Sequence, residues 1–167
     1  MTISGLGGVG HLGIHVSDID QSLHFYRDLL GMEQIARFDE SDDVVRGVVG
    51  YPDASLKTAH LRIPDSDLFM EVIEYVAPVG TPVDPQPANP GTVHLTFFVD
   101  DLQSAYDELV AAGVKPAGRV TDIPDADREN GPLASMPHIH RIIGGKSVYM
   151  TDPDGIRVEL MQPGPAA

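Results

Sequence analysis

Cysteine is absent from this chain, so neither a disulfide nor a thiolate metal site can form. Basic residues are scarce: 11 Lys and Arg stand against 25 Asp and Glu, for a formal charge of −14. Nucleic acids and anionic membrane surfaces are recognised by basic stripes, so the charge balance argues against both as partners. It also works against a strongly anionic substrate such as a coenzyme A thioester. No apolar run approaches the length that spans a bilayer, and residues 1–10 carry no charged-then-apolar leader. Together these lacks fit a cytoplasmic protein.

What is present is ordinary for a globule. The 167 residues are 42% apolar and 22% charged, enough for one domain or for two small halves sharing a core. Residues 9–16 (V-G-H-L-G-I-H-V) alternate as a strand does, with His11, Gly13 and His15 on one face. Ser17 and Asp18 then supply helix-capping side chains, Leu23, Tyr26, Leu29 and Leu30 follow at helical spacing, and Gly31 ends the run. Residues 32–38 read as a second strand. Residues 39–55 form an acidic, turn-rich connection to which no element is assigned. Residues 56–63 and 68–76 read as two arms of a hairpin, with Glu71 in the second arm, F-M-E-V-I-E-Y. Residues 77–91 carry five prolines and no periodicity, the pattern of an extended linker.

The pattern then restarts. Residues 91–99 read as a strand containing His94, and Asp100-Asp101 opens a helix through Leu102, Ala105 and Leu109 that stops at Gly113. A strand is expected at residues 114–120. Residues 121–145 are irregular and hold His138 and His140. Two closing strands flank the turn formers Asp152-Pro153-Asp154-Gly155, and residues 163–167 make a tail. Laying the halves together matches H-L-G-I-H-V-S-D-I from His11 to H-L-T-F-F-V-D-D-L from His94. Farther on, F-M-E-V-I around Glu71 matches R-V-E-L-M around Glu159 at nearly the same offset. Two matches in the same order indicate an internal repeat, each half reading β-α-β-β-β.

A four-stranded sheet with one helix leaves a face uncovered, and two such halves can cover each other across a cleft. The repeat then makes His11 equivalent to His94, and Glu71 equivalent to Glu159. Two imidazoles and one or two carboxylates on strands are a proper ligand set for a divalent cation with open positions. His11, Glu71, His94 and Glu159 are therefore the candidate metal ligands; their alternative is ordinary strand histidines and solvated carboxylates. His15 either lines the cleft or is a plain strand residue, His60 belongs to the strand wall, and His24 falls on the helix surface. Within residues 121–145, either His138 or His140 is a candidate acid or base that reaches the site. Tyr149 and Tyr75 are candidates for the cleft lining, which packing alone would also explain.

The run H-x-x-x-x-V-x-D-x-x-x-S-x-x-F-Y-x-x-x-L-G from His11 to Gly31, with D-P-D-G-x-x-x-E-L from Asp152 to Leu160, resembles the vicinal oxygen chelate superfamily. The resemblance runs over nearly all of residues 10–162. It implies an α+β fold in which two paired βαβββ modules form curved mixed sheets around a metal-binding cleft. As one such domain of residues 1–167, the chain divides into a first module (9–76), the linker (77–91), a second module (92–162) and the tail. The resemblance also implies one divalent cation (Zn, Ni, Co, Mn or Fe(II)) on His11, Glu71, His94 and Glu159. A His/Glu/His/Glu set is that of bacterial glyoxalase I, and epimerases are close to it. Extradiol dioxygenases use equivalents of His11, His94 and Glu159, with a Y-x-x-x-P-x-G-x-x-x-E run matched from Tyr149 and a histidine at the spacing of His140. The intact quartet speaks against a bleomycin-binding role. Basic residues of the kind that surround a glutathione site are not evident.

The expectation is thus a metal-dependent isomerase or lyase of glyoxalase or epimerase type. It would act on a small molecule with neighbouring oxygens, with Glu71 or Glu159 moving the proton and His140 and Tyr149 as further catalytic candidates. A ring-cleaving Fe(II) dioxygenase and a non-catalytic sequestering protein are the alternatives. The expected assembly is a homodimer, with module pairing within a chain or between chains left open.

Overall fold

In the computed structural model, residues 4–124 and 141–165 are described. His138 and His140 lie outside them. The chain separates into two compact units, residues 1–83 and 84–167, divided inside the proline-rich segment.

In the first unit the chain runs β1 (Leu12–Val16), α1 (Ile19–Leu23), β2 (Glu33–Glu40), α2 (Asp43–Val49), β3 (Ser55–Arg62) and β4 (Phe69–Ala77). The sheet order is β1-β4-β3-β2; β1 and β4 are parallel and the other pairs antiparallel. The helix after β1 starts where the capping residues imply, with Asp18 Oδ1 accepting from the Asp20 and Gln21 amides at 2.9 and 3.0 Å. It does not continue as one regular helix. Residues His24–Leu29 are π-helical, and this wider turn directs both Phe25 and Tyr26 into the core. Ile19, Leu23 and Tyr26 pack with Val72, Met70, Ala59 and Leu61, all essentially inaccessible, and so cover one face of the sheet.

The second unit runs β5 (His94–Phe98), α3 (Leu102–Ala111), β6 (Lys115–Pro116), β7 (Thr121–Asp122), β8 (Lys146–Thr151) and β9 (Arg157–Gln162). Its order is β5-β9-β8-β6, with β7 also on β8, and β5 and β9 are parallel. Strand for strand this repeats the first sheet. Leu102 and Leu109 of α3 are buried, as are Val148, Met150, Val158 and Leu160 of the sheet. The closing turn is built by Asp152, whose Oδ1 accepts from the Asp154 and Ile156 amides at 3.0 and 2.7 Å. Gly155 takes φ +89°, which a side chain would strain.

Three sequence expectations change. His11 lies one residue before β1 rather than within it, because pairing with β4 begins at Leu12 and Met70. The unassigned connection 39–55 contains α2, capped by Asp42 Oδ1 on the Val44 and Val45 amides at 2.9 Å each and closed by Gly50 at φ +77°. Its valines hid it, since they favour strands when read alone. The strand expected at 114–120 shrinks to Lys115–Pro116 with a separate Thr121–Asp122, because proline removes a ladder donor.

Candidate metal centre

Helices α1 and α3 each claim one face of their sheet, and the candidate residues project from the other. On β4, Glu71 pairs in register with Gly13 of β1 and His60 of β3, so the three share that face. On β9, Glu159 pairs with Thr96 of β5 and Tyr149 of β8, the same positions in the second sheet.

In the first module, His11 Nε2 stands 3.4 Å from Glu71 Oε2, and His60 Nε2 stands 3.1 Å from Glu71 Oε1. Phe69 lies against both imidazoles, with ring centroids 5.1 Å from His11 and 4.4 Å from His60. Phe38 meets the His60 ring edge-on at 5.2 Å, so the imidazole is wedged between aromatic rings. His15 packs on Tyr75 at 5.6 Å, and burial holds the Tyr75 phenol above its ordinary value. The other glutamate of F-M-E-V-I-E-Y does structural work. Glu74 accepts from the Ile19 amide at 2.9 Å and from Lys57 Nζ at 2.8 Å, tying α1 to the opposite face. His24 is exposed and pairs with Asp28 on the helix surface.

The second module repeats the pairing with a different set of supports. His94 Nε2 lies 3.8 Å from Glu159 Oε2. Thr96 Oγ1 donates to Glu159 Oε2 at 2.9 Å and Ser147 Oγ to Oε1 at 2.7 Å. Tyr149 stands directly across from Glu159 on β8, and its ring meets His94 edge-on at 5.5 Å. Burial first, then the Glu159 carboxylate, keep this phenol protonated above the usual tyrosine range. Glu159 is thus a strand carboxylate with its oxygens already oriented, its side chain only 13% exposed.

Among the described residues no group of three or more His, Asp or Glu side chains gathers as a metal cluster. What each module does present is one imidazole nitrogen beside one carboxylate oxygen. Two ligands on a tetrahedral zinc, with bonds of about 2.0–2.1 Å, stand roughly 3.4 Å apart. The His11–Glu71 separation of 3.4 Å matches that spacing and the His94–Glu159 separation of 3.8 Å is wider than it, so the donors fit a divalent cation in type and, in the first module, in spacing.

Beside Glu71, the face is roofed at one end by α2. Val44, Val45, Val48 and Val49 line, with Leu56, Ile73 and Glu71, a half-open pocket of about 220 Å³. The sequence marked none of Thr96, Ser147 or α2 as part of a site, and placed His60 only in the wall. The signal that reaches them is register: each sits beside or across from a candidate glutamate once the strands are paired.

The profile of the Glyoxalase/Bleomycin resistance protein/Dioxygenase superfamily matches residues 8–160. The chain belongs to this superfamily. Within it, a probable lactoylglutathione lyase from Synechocystis sp. is 31% identical over 153 residues, covering 91% of this chain and 92% of the relative. A 2-epi-5-epi-valiolone epimerase from Actinomyces sp. is 29% identical over 163 residues, covering 95% and 81%. Among solved structures, a glyoxalase family protein from Bacillus cereus superposes with a TM-score of 0.73 at 15% identity, covering 98% of this chain and 100% of that one. A fosfomycin resistance protein from Listeria monocytogenes gives 0.56 at 18% identity, covering 97% and 95%. These structural likenesses establish the superfamily's α+β fold of mixed sheets. No helix among the described residues is long and apolar enough to cross a membrane.

Proposed function

We propose that the chain is a divalent-metal-dependent isomerase or lyase of the glyoxalase and epimerase type, with His11, Glu71, His94 and Glu159 as the metal ligands. The observation that carries this reading is the repeated juxtaposition: at equivalent positions of the repeat each module sets an imidazole 3.4 or 3.8 Å from a carboxylate. Relatives named lactoylglutathione lyase and epimerase support the reaction class. When bound, the cation supplies Lewis-acid stabilisation of negative charge on two neighbouring substrate oxygens.

The chain's own residues do the rest. His11 and His94 would each supply one imidazole nitrogen to the cation. Thr96 and Ser147 hold the Glu159 carboxylate in a fixed orientation, whereas Glu71 is steadied by His60 and faces an open position, since Gly13 across from it has no side chain. Glu71 or Glu159 would take a proton from the carbon beside the two substrate oxygens and return it.

The test is solvent exchange. Metal-loaded protein in deuterium oxide, supplied with small hydroxyketones, incorporates deuterium at the carbon next to the carbonyl without consuming oxygen, and Glu71→Gln with Glu159→Gln abolishes it. Oxygen uptake with catechols after anaerobic Fe(II) loading would replace this reading with ring cleavage. Tight ligand binding by a protein that takes up no divalent metal in titration would replace it with sequestration.

A further inference from the structure

The pocket under α2 bears on which substrate this site takes, and the inference drawn from it rests on the metal-site reading above. The pocket is continuous with that site, because Glu71 belongs to its lining. Its walls are aliphatic, and every ionisable group lining it is a carboxylate: Glu40, Asp42 and Glu71. No basic side chain is among the lining residues.

Each of those carboxylates already accepts hydrogen bonds or faces an imidazole. Glu40 Oε2 takes the Thr58 hydroxyl at 3.0 Å. Asp42 Oδ1 caps α2, and Glu71 faces His11 and His60. An anion entering here would meet like charge in a space shielded by valines, where screening is weaker than in water. A cation would give up its hydration among aliphatic walls, where both oxygens of Glu71 and one oxygen each of Glu40 and Asp42 are already engaged.

We infer that this pocket holds the non-chelating part of the substrate and that this part is uncharged: the carbon frame of a small neutral hydroxyketone, not the anionic body of a glutathione adduct. Size agrees with that assignment. A cavity of roughly 150 Å³ already accepts a benzene-sized guest, and this one measures about 220 Å³. One six- or seven-membered ring fills such a space, whereas a tripeptide conjugate does not fit within it. The wall nearest solvent is supplied by α2, whose Val45 is buried while Val44 and Val48 stand exposed at the opening, so the helix sets specificity while the strands set chemistry.

The test uses the full chain, stripped of metal, with methyl-labelled valine and isoleucine followed by NMR. The probes are hydroxycyclohexanone (neutral), S-methylglutathione (anionic) and cyclohexylamine (cationic). The expected result is saturable movement of the Val44, Val45, Val48, Val49 and Ile73 methyls with the neutral probe, at least tenfold tighter than with either charged one. Val48→Trp, at a position 81% exposed and so tolerant of change, fills the opening and weakens the neutral probe at least tenfold. Equal or tighter binding of S-methylglutathione or cyclohexylamine would overturn the assignment, as would absence of methyl shifts with hydroxycyclohexanone. Because shifts are read without metal, the pocket and the metal site fail or succeed separately: a lost metal affinity shows in metal titration, a wrong pocket in the methyls.

Discussion

His60 and Glu71 stand directly opposite each other on β3 and β4, with Nε2 3.1 Å from Oε1, and Tyr149 and Glu159 occupy the same opposed positions on β8 and β9. His60 thus orients Glu71 from across the sheet, as Thr96 on β5 orients Glu159. Groups that orient metal ligands typically change metal affinity by about 10–100-fold when removed. His60→Ala is expected to weaken Co(II) binding within that range, and His60→Gln, which keeps an N–H donor, to recover part of it. The Co(II) visible spectrum should shift in the alanine variant. An unchanged affinity and spectrum would remove His60 from the site.

The two glutamates of the β4 strand should separate cleanly. Glu74 bonds the α1 amide of Ile19 and the Lys57 ammonium, so Glu74→Ala is expected to lower stability by about 1–3 kcal/mol while leaving metal affinity intact. Glu71→Ala should do the reverse. Denaturant unfolding together with metal titration of both variants checks the assignment, and interchanged phenotypes would refute it.

Much of this arrangement is readable before any coordinates. Period-two alternation marks the strands around Glu71 and Glu159, capping side chains mark the helix starts, and the matched runs at His11 and His94 expose the duplication. What is not readable is whatever depends on distant pairing. Thr96 and Ser147 are unremarkable hydroxyl residues until register sets them beside Glu159. The π-helical turn at His24–Leu29 comes from packing Phe25 and Tyr26 together, with rings 4.9 Å apart and nearly perpendicular, and no local propensity announces it. In α2, β-branched residues oppose the helix locally, and the Asp42 cap and the Gly50 terminus carry it.

The β8–β9 turn aims Tyr149 and Glu159, and Gly155 is the position that permits it. A Cβ there would come 2.5 Å from Pro85 Cγ, on a backbone already at φ +89°. Gly155→Ala is expected to destabilise the fold by about 1–2 kcal/mol from the left-handed backbone alone, with the contact adding to it. Thermal and denaturant unfolding measure this; a neutral or stabilising effect would contradict the geometry.

On the helix surface, the Arg27 guanidinium first, with His24 also contributing, holds the Asp28 carboxyl at about 2, below its ordinary value of 3.8. A depressed carboxyl favours the fold above the ordinary value, and that support is lost as pH falls from about 3.8 through about 2. The effect on stability is small because the pair is exposed to solvent. Carbon-detected NMR should give a midpoint near 2 for Asp28, returning toward 3.8 in Arg27→Met. An identical midpoint in both proteins would mean that Arg27 is not the cause.

The most direct measurement is calorimetric titration of the metal-stripped chain with Zn(II), repeated for His11→Ala, Glu71→Ala, His94→Ala and Glu159→Ala. The expected result is one ion per chain, with every one of the four substitutions weakening binding at least tenfold. Two ions per chain, or full affinity surviving in both variants of either module, would contradict a single centre drawn from both halves of the repeat.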